Sequence, residues 1–188
     1  MDQIIVLARK EEIDYVRENI IEPGGFKKVV ALVEGGSSRQ ESIKNGLKVL
    51  ADDVDIVLSH DGARPFVHVE TIDSAIEDML DLRAVVVGVP VKDTIKNVFD
   101  DGSNKVYLTP KRALLWAAQT PQIFYAEDLR RAYLYAEREN IEGTDDSSLV
   151  EKFGLQVTMV MGSYDNIKIT TPEDLVLAEL FRKSLKEN

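Results

Sequence analysis

The stretch Ile4-Ile5-Val6-Leu7-Ala8 determines the fold class, because an unbroken apolar run of strand length predicts a strand buried on both faces. A helical pattern from Glu11 to Ile20 follows, and Pro23-Gly24-Gly25 is expected to end it. Val29 to Val33 forms a second apolar run. A strand, a helix and another strand in this order predict a parallel pair joined by a crossover helix.

The same alternation continues along the chain. Further helices are predicted over Ser38 to Leu50 and Val69 to Leu82, and further strands over Val54 to Ser59 and Ala84 to Val89. Valine- and isoleucine-rich strands separated by helices are typical of a parallel sheet that is covered on both faces. We therefore predict an α/β fold with a mostly parallel sheet.

The pattern changes after Pro90. Asp93 to Phe99 alternates between polar and apolar residues, Asp100 to Asn104 is a turn cluster, and Lys105 to Leu108 runs back. This pattern predicts a β-hairpin arm, within about residues 91–113, that projects from the sheet. The remaining predicted elements are helices over Ala126 to Glu139 and Asp145 to Phe153, strands over Leu155 to Val160 and Asn166 to Thr170, and a last helix that begins at Thr171-Pro172.

Composition narrows the function. The 188 residues fit one domain, which we assign to residues 1–188, and the net charge of −10 argues against a nucleic-acid partner. The sequence has no cysteine, which excludes disulfides and thiolate chemistry. No apolar run reaches the roughly 18 residues of a membrane span, and Met1-Asp2-Gln3 does not begin a signal peptide. We expect a cytoplasmic protein with no membrane partner.

Two polar segments follow predicted strands, where open α/β sheets bind ligands. In His60-Asp61-Gly62-Ala63-Arg64-Pro65, Asp61 could organise a hydroxyl or a metal-bound phosphate, and Arg64 could hold a phosphate. The alternative is an Asp-Gly turn with a solvated arginine. Gly35-Gly36-Ser37-Ser38 could bring backbone N–H groups close to a ligand. Its alternative is an ordinary turn with Ser38 as the N-cap.

Two further segments place lysines in predicted strands. In Val91 to Lys96, alternation puts Lys92, Thr94 and Lys96 on one face, which suits a phosphate or, equally, a charged hairpin edge. Lys168 precedes the last helix in a strand that also has a polar and an apolar face. It is compatible with an anionic ligand or with a solvated lysine on an edge strand.

Taken together, these segments are more specific than any one of them. Their order, with Leu115 to Gln122, Gly143 to Asp146 and Asn166 to Asp174, resembles the methylerythritol phosphate cytidylyltransferase family over essentially the whole chain. The resemblance implies a Rossmann-like sheet of the nucleotide-diphospho-sugar transferase type. It also implies transfer of CMP from CTP to 2-C-methyl-D-erythritol 4-phosphate in the non-mevalonate route to isoprenoid precursors, with release of pyrophosphate.

The resemblance also implies roles for individual residues. Gly36, Ser37, Ser42 and Gly62 match nucleotide-binding positions, although the family often has Asp at the position of Ser37. Residues Asp61, Arg64, Thr94, Thr120 and Thr144 match the substrate side, and Asp61 also matches the position beside a divalent cation such as Mg²⁺. Lys168 and Arg112 match the catalytic positions. Thr94 and Arg112 would reach the active site of a partner subunit, so the resemblance implies a homodimer joined through the hairpin arm.

One part of the family pattern is not found in the sequence. Family members begin with a strand and a Gly-rich loop that hold the triphosphate with an Arg and a Lys, whereas this sequence opens at the family's second strand. A fragment with restarted numbering, a misassigned start codon and a shortened relative would each explain this. The alternatives to the expected activity are a ribitol 5-phosphate or related polyol-phosphate cytidylyltransferase, and a non-catalytic dimer that binds a ligand or partner. For residues 1–188 alone we expect negligible turnover.

Overall fold

The computed structural model describes residues 1–187, and these divide into two compact units. The first unit comprises Met1–Val57 and Phe124–Gln156, and the second comprises Leu58–Ile123 and the chain from Val157 onward. Each unit therefore contains two separate stretches of the chain. The expectation of a single domain over the whole sequence stays a prediction.

The first unit begins with the predicted strand–helix–strand. Strand β1 (Ile4–Ala8) pairs with β2 (Val29–Glu34) in parallel, as expected. The intervening helical segment changes type along its length: a 3-10 turn (Lys10–Glu12), α1 (Ile13–Val16), a π-helical turn (Arg17–Ile21) and α2 (Glu22–Gly24). Gly25, with φ of 60°, ends the segment in the left-handed conformation that glycine adopts at low cost.

Three longer helices complete the first unit. Helix α3 (Arg39–Val49) starts at the N-cap Ser38, whose hydroxyl accepts a hydrogen bond from the amide of Glu41. Helix α5 (Ala126–Arg138) packs against α6 (Asp146–Lys152). The residues of these two helices that are fully or almost fully buried include Leu129, Ala132, Ala136, Leu149 and Val150.

The second unit contains a four-stranded sheet, made of β3 (Ile56–Ser59), β4 (Ala84–Pro90), β7 (Trp116–Tyr125) and β8 (Thr158–Met161). The strand order is β3-β7-β4-β8, and the division between the units falls inside β3 and β7. β4 and β8 run parallel. Helix α4 (Val69–Asp81) covers β4 with Ala75 and Met79, which are 1% and 0% exposed.

The hairpin pairs as predicted but is shorter. Strands β5 (Asn97–Val98) and β6 (Val106–Leu108) are antiparallel, and residues 91–96 are not part of a strand. The alternation of Lys92, Thr94 and Lys96 therefore does not place them on one face of a strand. In the turn, Gly102 has φ of 75°, which favours glycine there.

Two elements differ from the sequence-based expectation. The ten-residue strand β7 was not predicted, and Asn166–Thr170, predicted as a strand, is an extended segment outside the sheet. The last helix, α7 (Pro172–Glu187), begins where expected. Among residues 1–187, no helix has the length and apolar character needed to cross a bilayer.

Candidate functional site

The loop after β3 and the segment before α7 meet at a charged cluster in the second unit. The Nζ atom of Lys168 lies 3.1 Å from Oδ2 of Asp61, and Nε of Arg64 lies 3.5 Å from the same oxygen. The side chains of Asp61 and Arg64 are 14% and 13% exposed, whereas Lys168 is 43% exposed. One largely buried carboxylate thus holds two cationic side chains together, and the Lys168 side chain still reaches solvent.

Backbone and side-chain hydrogen bonds attach the Lys168 segment to the Asp61 loop. The Ile169 amide donates to the Ala63 carbonyl at 2.8 Å, and Nη1 of Arg64 donates to the Asn166 carbonyl at 2.8 Å. The predicted strand over Asn166–Thr170 is wrong because these contacts join the segment to a loop and not to a sheet ladder. They nevertheless place Lys168 beside Asp61.

Asn166 connects this segment to β7. Its side chain is 1% exposed, and Nδ2 donates to the Thr120 carbonyl at 2.9 Å and to Oε1 of Gln119 at 3.2 Å. Gln119 in turn donates to the Ser163 carbonyl. We did not predict Asn166 or Gln119 as site residues. Polar residues inside the motifs that carry the family resemblance were the available signal.

Thr120 and His60 lie directly behind Asp61. The Asp61 amide donates to Oγ1 of Thr120 at 3.0 Å, and Oγ1 lies 2.9 Å from Nδ1 of His60. Nε2 of His60 lies 3.0 Å from the Arg64 carbonyl. Thr120 is 3% exposed, so it is a buried member of the cluster. Gly62, predicted to bind the nucleotide, is an exposed residue of the same loop.

Arg112 and Thr94 belong to the exposed region around the hairpin. Nη1 of Arg112 donates to the Lys92 carbonyl at 3.0 Å, and Thr94 is exposed in the segment before β5. The Lys92 ammonium lies 3.5 Å from the centre of the Tyr164 ring, a cation–π contact. These contacts fix the base of the hairpin and leave both predicted side chains at the surface.

The remaining predicted nucleotide residues lie in the first unit, in the turn between β2 and α3. The Gly36 amide donates to Oγ of Ser42 at 2.9 Å. The amide and hydroxyl of Ser37 both donate to Oε2 of Glu41, at 2.7 and 2.6 Å, and these bonds lower the pKa of Glu41. A Cβ on Gly36 would lie 2.2 Å from Cγ of Glu41, so the Glu41 side chain would have to move to accept any residue other than glycine.

The loop that carries Thr144 is joined to the start of α3. Arg39 forms two hydrogen bonds with the fully buried carboxylate of Asp146, at 2.9 and 2.8 Å. Gln40 donates to the Ile141 carbonyl and accepts from the Gly143 amide. Thr144 is exposed within this loop. The first unit therefore brings the Gly36 turn and the Thr144 loop together through residues that we did not predict.

The carboxylate of Asp61 can bind a cation, but Asp61 alone does not provide the several protein ligands of a preformed metal site. No cluster of three or more His, Cys, Asp or Glu side chains that could hold a metal occurs within residues 1–187. Mg²⁺ is commonly bound by one or two carboxylates together with substrate phosphates and water. A single, largely buried carboxylate beside two cationic side chains fits that mode of binding.

The cluster is therefore suited to anionic substrates. A lysine and an arginine within reach of one carboxylate can neutralise phosphate oxygens and fix their direction. Such an arrangement favours positioning of charged groups over acid–base catalysis.

Comparison with known proteins identifies relatives of the whole chain. A sequence model of the family described as IspD, 2-C-methyl-D-erythritol 4-phosphate cytidylyltransferase, matches residues 1–184. The protein of that name from Clostridioides difficile is 55% identical over 179 residues, which cover 95% of this chain and 74% of the relative. The corresponding protein from Caldanaerobacter subterraneus is 50% identical, with 95% and 78% covered.

Solved structures give the same result. The crystal structure of a 4-diphosphocytidyl-2C-methyl-D-erythritol synthase from Anaerococcus prevotii is similar, with a TM-score of 0.88 and 34% identity over 97% of this chain and 79% of that one. The 2-C-methyl-D-erythritol 4-phosphate cytidylyltransferase of Francisella tularensis has a TM-score of 0.81 and 31% identity over 96% and 80% of the two chains.

Proposed function

Because the chain belongs to the 2-C-methyl-D-erythritol 4-phosphate cytidylyltransferase family, we propose that it transfers CMP from CTP to the phosphate of 2-C-methyl-D-erythritol 4-phosphate. The family is one of nucleotidyltransferase enzymes. A phosphate oxygen of the sugar attacks the α-phosphorus of CTP and forms a new P–O bond. The bond between that phosphorus and the oxygen bridging to the β-phosphate breaks, and pyrophosphate leaves.

The contact between Lys168 and Asp61 supports this assignment most directly. The attacking group is already an anion, so the reaction needs no general base and its main obstacle is the repulsion between two phosphates. Lys168, held at 3.1 Å from Asp61 and still exposed, can direct the sugar phosphate towards the α-phosphorus. Arg64, which is nearly buried, gives the cluster a second fixed positive charge.

Asp61 is the residue that would hold a divalent cation together with the nucleotide phosphates. When bound, such a cation neutralises negative charge on the triphosphate and on the departing pyrophosphate. Asp61 itself keeps the Lys168 ammonium in place through their ion pair. We assign Mg²⁺ as the cofactor, because a lone carboxylate suits a cation that arrives with its phosphate ligands.

The other predicted residues complete the proposal. Gly36, Ser37 and Ser42 would bind the cytidine, with Gly62 lining the nucleotide side. Thr144, Thr94 and Arg112 would contact the methylerythritol phosphate, the last two from a partner subunit in a homodimer. The cytoplasmic location stays a prediction from the sequence.

The activity is tested by pyrophosphate release in the protein as its gene encodes it, including any in-frame sequence upstream of Met1. With CTP, methylerythritol phosphate and Mg²⁺ we expect turnover on the order of one per second, within the usual enzyme range. EDTA should abolish it. Faster turnover with ribitol 5-phosphate would instead indicate the polyol-phosphate reaction, and ligand binding without turnover would indicate a non-catalytic dimer.

A further inference from the structure

The position of Thr120 in the structure does not suit the substrate-binding role that the family resemblance implied. A residue that binds substrate should present its hydroxyl to solvent or to the open side of the site. Thr120 is 3% exposed, and its hydroxyl lies between the Asp61 amide and the His60 ring. The hydrogen bonds of this hydroxyl therefore determine what it can do.

The Arg64 carbonyl lies at one end of this series of hydrogen bonds, and it determines which atom donates in each of them. The Arg64 carbonyl can only accept, so Nε2 of His60, 3.0 Å away, must carry a proton. In a neutral imidazole Nδ1 is then an acceptor, and the Thr120 hydroxyl 2.9 Å away donates to it. The Thr120 oxygen in turn accepts from the Asp61 amide at 3.0 Å.

These bonds form a chain from the Asp61 amide through Thr120 and His60 to the Arg64 carbonyl. The Arg64 amide also donates to the Asp61 carbonyl at 2.9 Å, so a direct hydrogen bond joins the same two residues of the loop. The single proton of the Thr120 hydroxyl is used within this chain. A phosphate needs hydrogen-bond donors, and Thr120 has none left to offer.

We infer that Thr120 is a positioning residue that, with His60, fixes the backbone of Asp61 and hence the Asp61–Lys168 pair, and that it does not bind the sugar phosphate. The inference rests on the proposed function, since it assigns Thr120 a role in that reaction. It also gives a role to His60, which lies outside the set of residues predicted from the sequence.

Steady-state kinetics separate positioning from substrate binding. Thr120→Val keeps the shape but removes the hydroxyl, leaving the Asp61 amide without its acceptor. We expect kcat to fall by about tenfold or more, with KM for methylerythritol phosphate changed by less than about twofold. Thr120→Ser should restore most of the lost turnover, and Thr158→Val, a matched change on β8, should have no effect. A tenfold rise in that KM with kcat preserved would overturn the inference.

A double-mutant cycle tests whether His60 and Thr120 act together. His60→Phe removes both ring nitrogens and should lower kcat about as much as Thr120→Val. The double variant should be little worse than either single variant, because each breaks the same chain of hydrogen bonds. Additive losses, or no loss in His60→Phe, would show that the two residues act separately.

The wild-type protein allows a test that does not depend on activity. The sequence contains two histidines, His60 and His68, so ¹⁵N spectra of the imidazoles contain two sets of signals, assigned with His60→Phe. At pH 8 we expect His60 as the neutral tautomer protonated at Nε2. A tautomer protonated at Nδ1, or a charged ring, would contradict the hydrogen-bond chain. An inactive protein with the expected tautomer would count against the proposed function alone.

Discussion

At the scale of single residues, Lys168 is the side chain on which the proposed chemistry depends most. Its ammonium is held by Asp61 and its side chain is 43% exposed, so the ammonium can exchange solvent contacts for contacts with a phosphate. Removing a positive group that stabilises transferring phosphates commonly costs several kcal/mol in the transition state. We expect Lys168→Ala to lower kcat by on the order of a hundredfold or more.

Lys183 on α7 provides the control for this experiment, because it is an exposed lysine of the same unit. Lys183→Ala should leave pyrophosphate release unchanged. If Lys168→Ala keeps more than about a tenth of the wild-type kcat, Lys168 is not a principal source of transition-state stabilisation.

The sequence identified the charged residues of the site but not the residues that hold them. Asp61, Arg64 and Lys168 were predicted and are in contact. Asn166 was not predicted as a site residue, because its partners Gln119 and Thr120 lie more than forty residues away in sequence. A polar residue can be recognised from the sequence as a candidate site residue. Whether its side chain is buried depends on contacts between distant segments.

At the scale of secondary structure, the start of α7 stabilises the Lys168 segment. Oδ2 of Asp174 accepts from the Thr170 amide, the Thr171 amide and the Thr170 hydroxyl, at 2.9, 2.8 and 3.0 Å. These hydrogen bonds lower the pKa of Asp174 below its usual value of 3.8. The ionised carboxylate therefore fixes the chain directly after Lys168.

The lowered pKa determines how this contribution changes with pH. An acid whose pKa is lower in the folded state stabilises the fold above its unfolded pKa, and this stabilisation is lost as pH falls through the folded pKa. We expect Asp174→Ala to lower Tm by about 2–4 °C at pH 7. The difference should shrink below about pH 4, as thermal unfolding followed by circular dichroism can show.

Glu179 is a suitable control, because it is an exposed acid of the same helix that pairs only one turn away with Arg182. Glu179→Ala should change Tm little at any pH. A Tm difference for Asp174→Ala that is constant from pH 7 to pH 3 would contradict the assigned hydrogen bonds.

A buried network joins three helices of the first unit. The Tyr133 hydroxyl on α5 donates to Oδ1 of Asp146 at 2.5 Å, and Arg39 of α3 pairs with both oxygens of this carboxylate. Burial, followed by the charge of Asp146, raises the pKa of Tyr133, so the phenol remains a donor throughout the neutral range. The network holds the Thr144 loop against the start of α3, where Ser42 lies.

Removing the hydroxyl from this network should destabilise the fold. We expect Tyr133→Phe to lower the free energy of unfolding by about 1.5–3 kcal/mol, because a buried carboxylate loses a hydrogen bond. Tyr135→Phe, on the same helix, should cost less than about 0.5 kcal/mol. Urea denaturation measures both, and equal losses in the two variants would show that the Tyr133 hydroxyl contributes nothing specific.

Strands and helices were predictable from the sequence where one physical signal dominated, such as an apolar run or a Thr-Pro helix start. β1 matches its apolar run, and α7 begins at the predicted Thr-Pro boundary. Strand β7 was missed because its centre, Gln119 to Gln122, contains polar residues and a proline, which usually indicate a loop. Gln119 and Thr120 are buried there with side-chain hydrogen bonds to other segments, and a sequence pattern does not reveal such partners.

At the scale of the whole molecule, the hairpin exposes more apolar surface than a solvated element requires. Val98, Phe99, Val106, Tyr107 and Leu108 are each between 43% and 55% exposed. A two-stranded hairpin is at best marginally stable alone, and exposed apolar patches commonly mark interfaces. These features support the proposed homodimer, in which the hairpin of one subunit packs against its partner.

We expect the protein to be a dimer at micromolar concentration by light scattering. Placing a charge on the hairpin with Val106→Glu should produce monomers. Leu80→Glu, which changes an even more exposed apolar residue on α4, should leave the dimer intact. A wild-type monomer, or a dimer unaffected by Val106→Glu, would refute an interface at the hairpin.

Mixing two variants that are each defective at low sugar phosphate tests whether Arg112 acts on the partner subunit. Arg112→Ala should raise KM for methylerythritol phosphate more than KM for CTP, and Lys168→Ala should lower kcat by on the order of a hundredfold or more. In a mixed dimer, the Arg112→Ala subunit supplies its own Lys168 and receives Arg112 from its partner, which makes one complete site. Random mixing in a two-fold symmetric dimer gives about half mixed dimers, so about a quarter of wild-type activity should return at low sugar phosphate. If Arg112 serves its own subunit, both sites of the mixed dimer remain defective and no activity returns, which would contradict the proposed arm exchange.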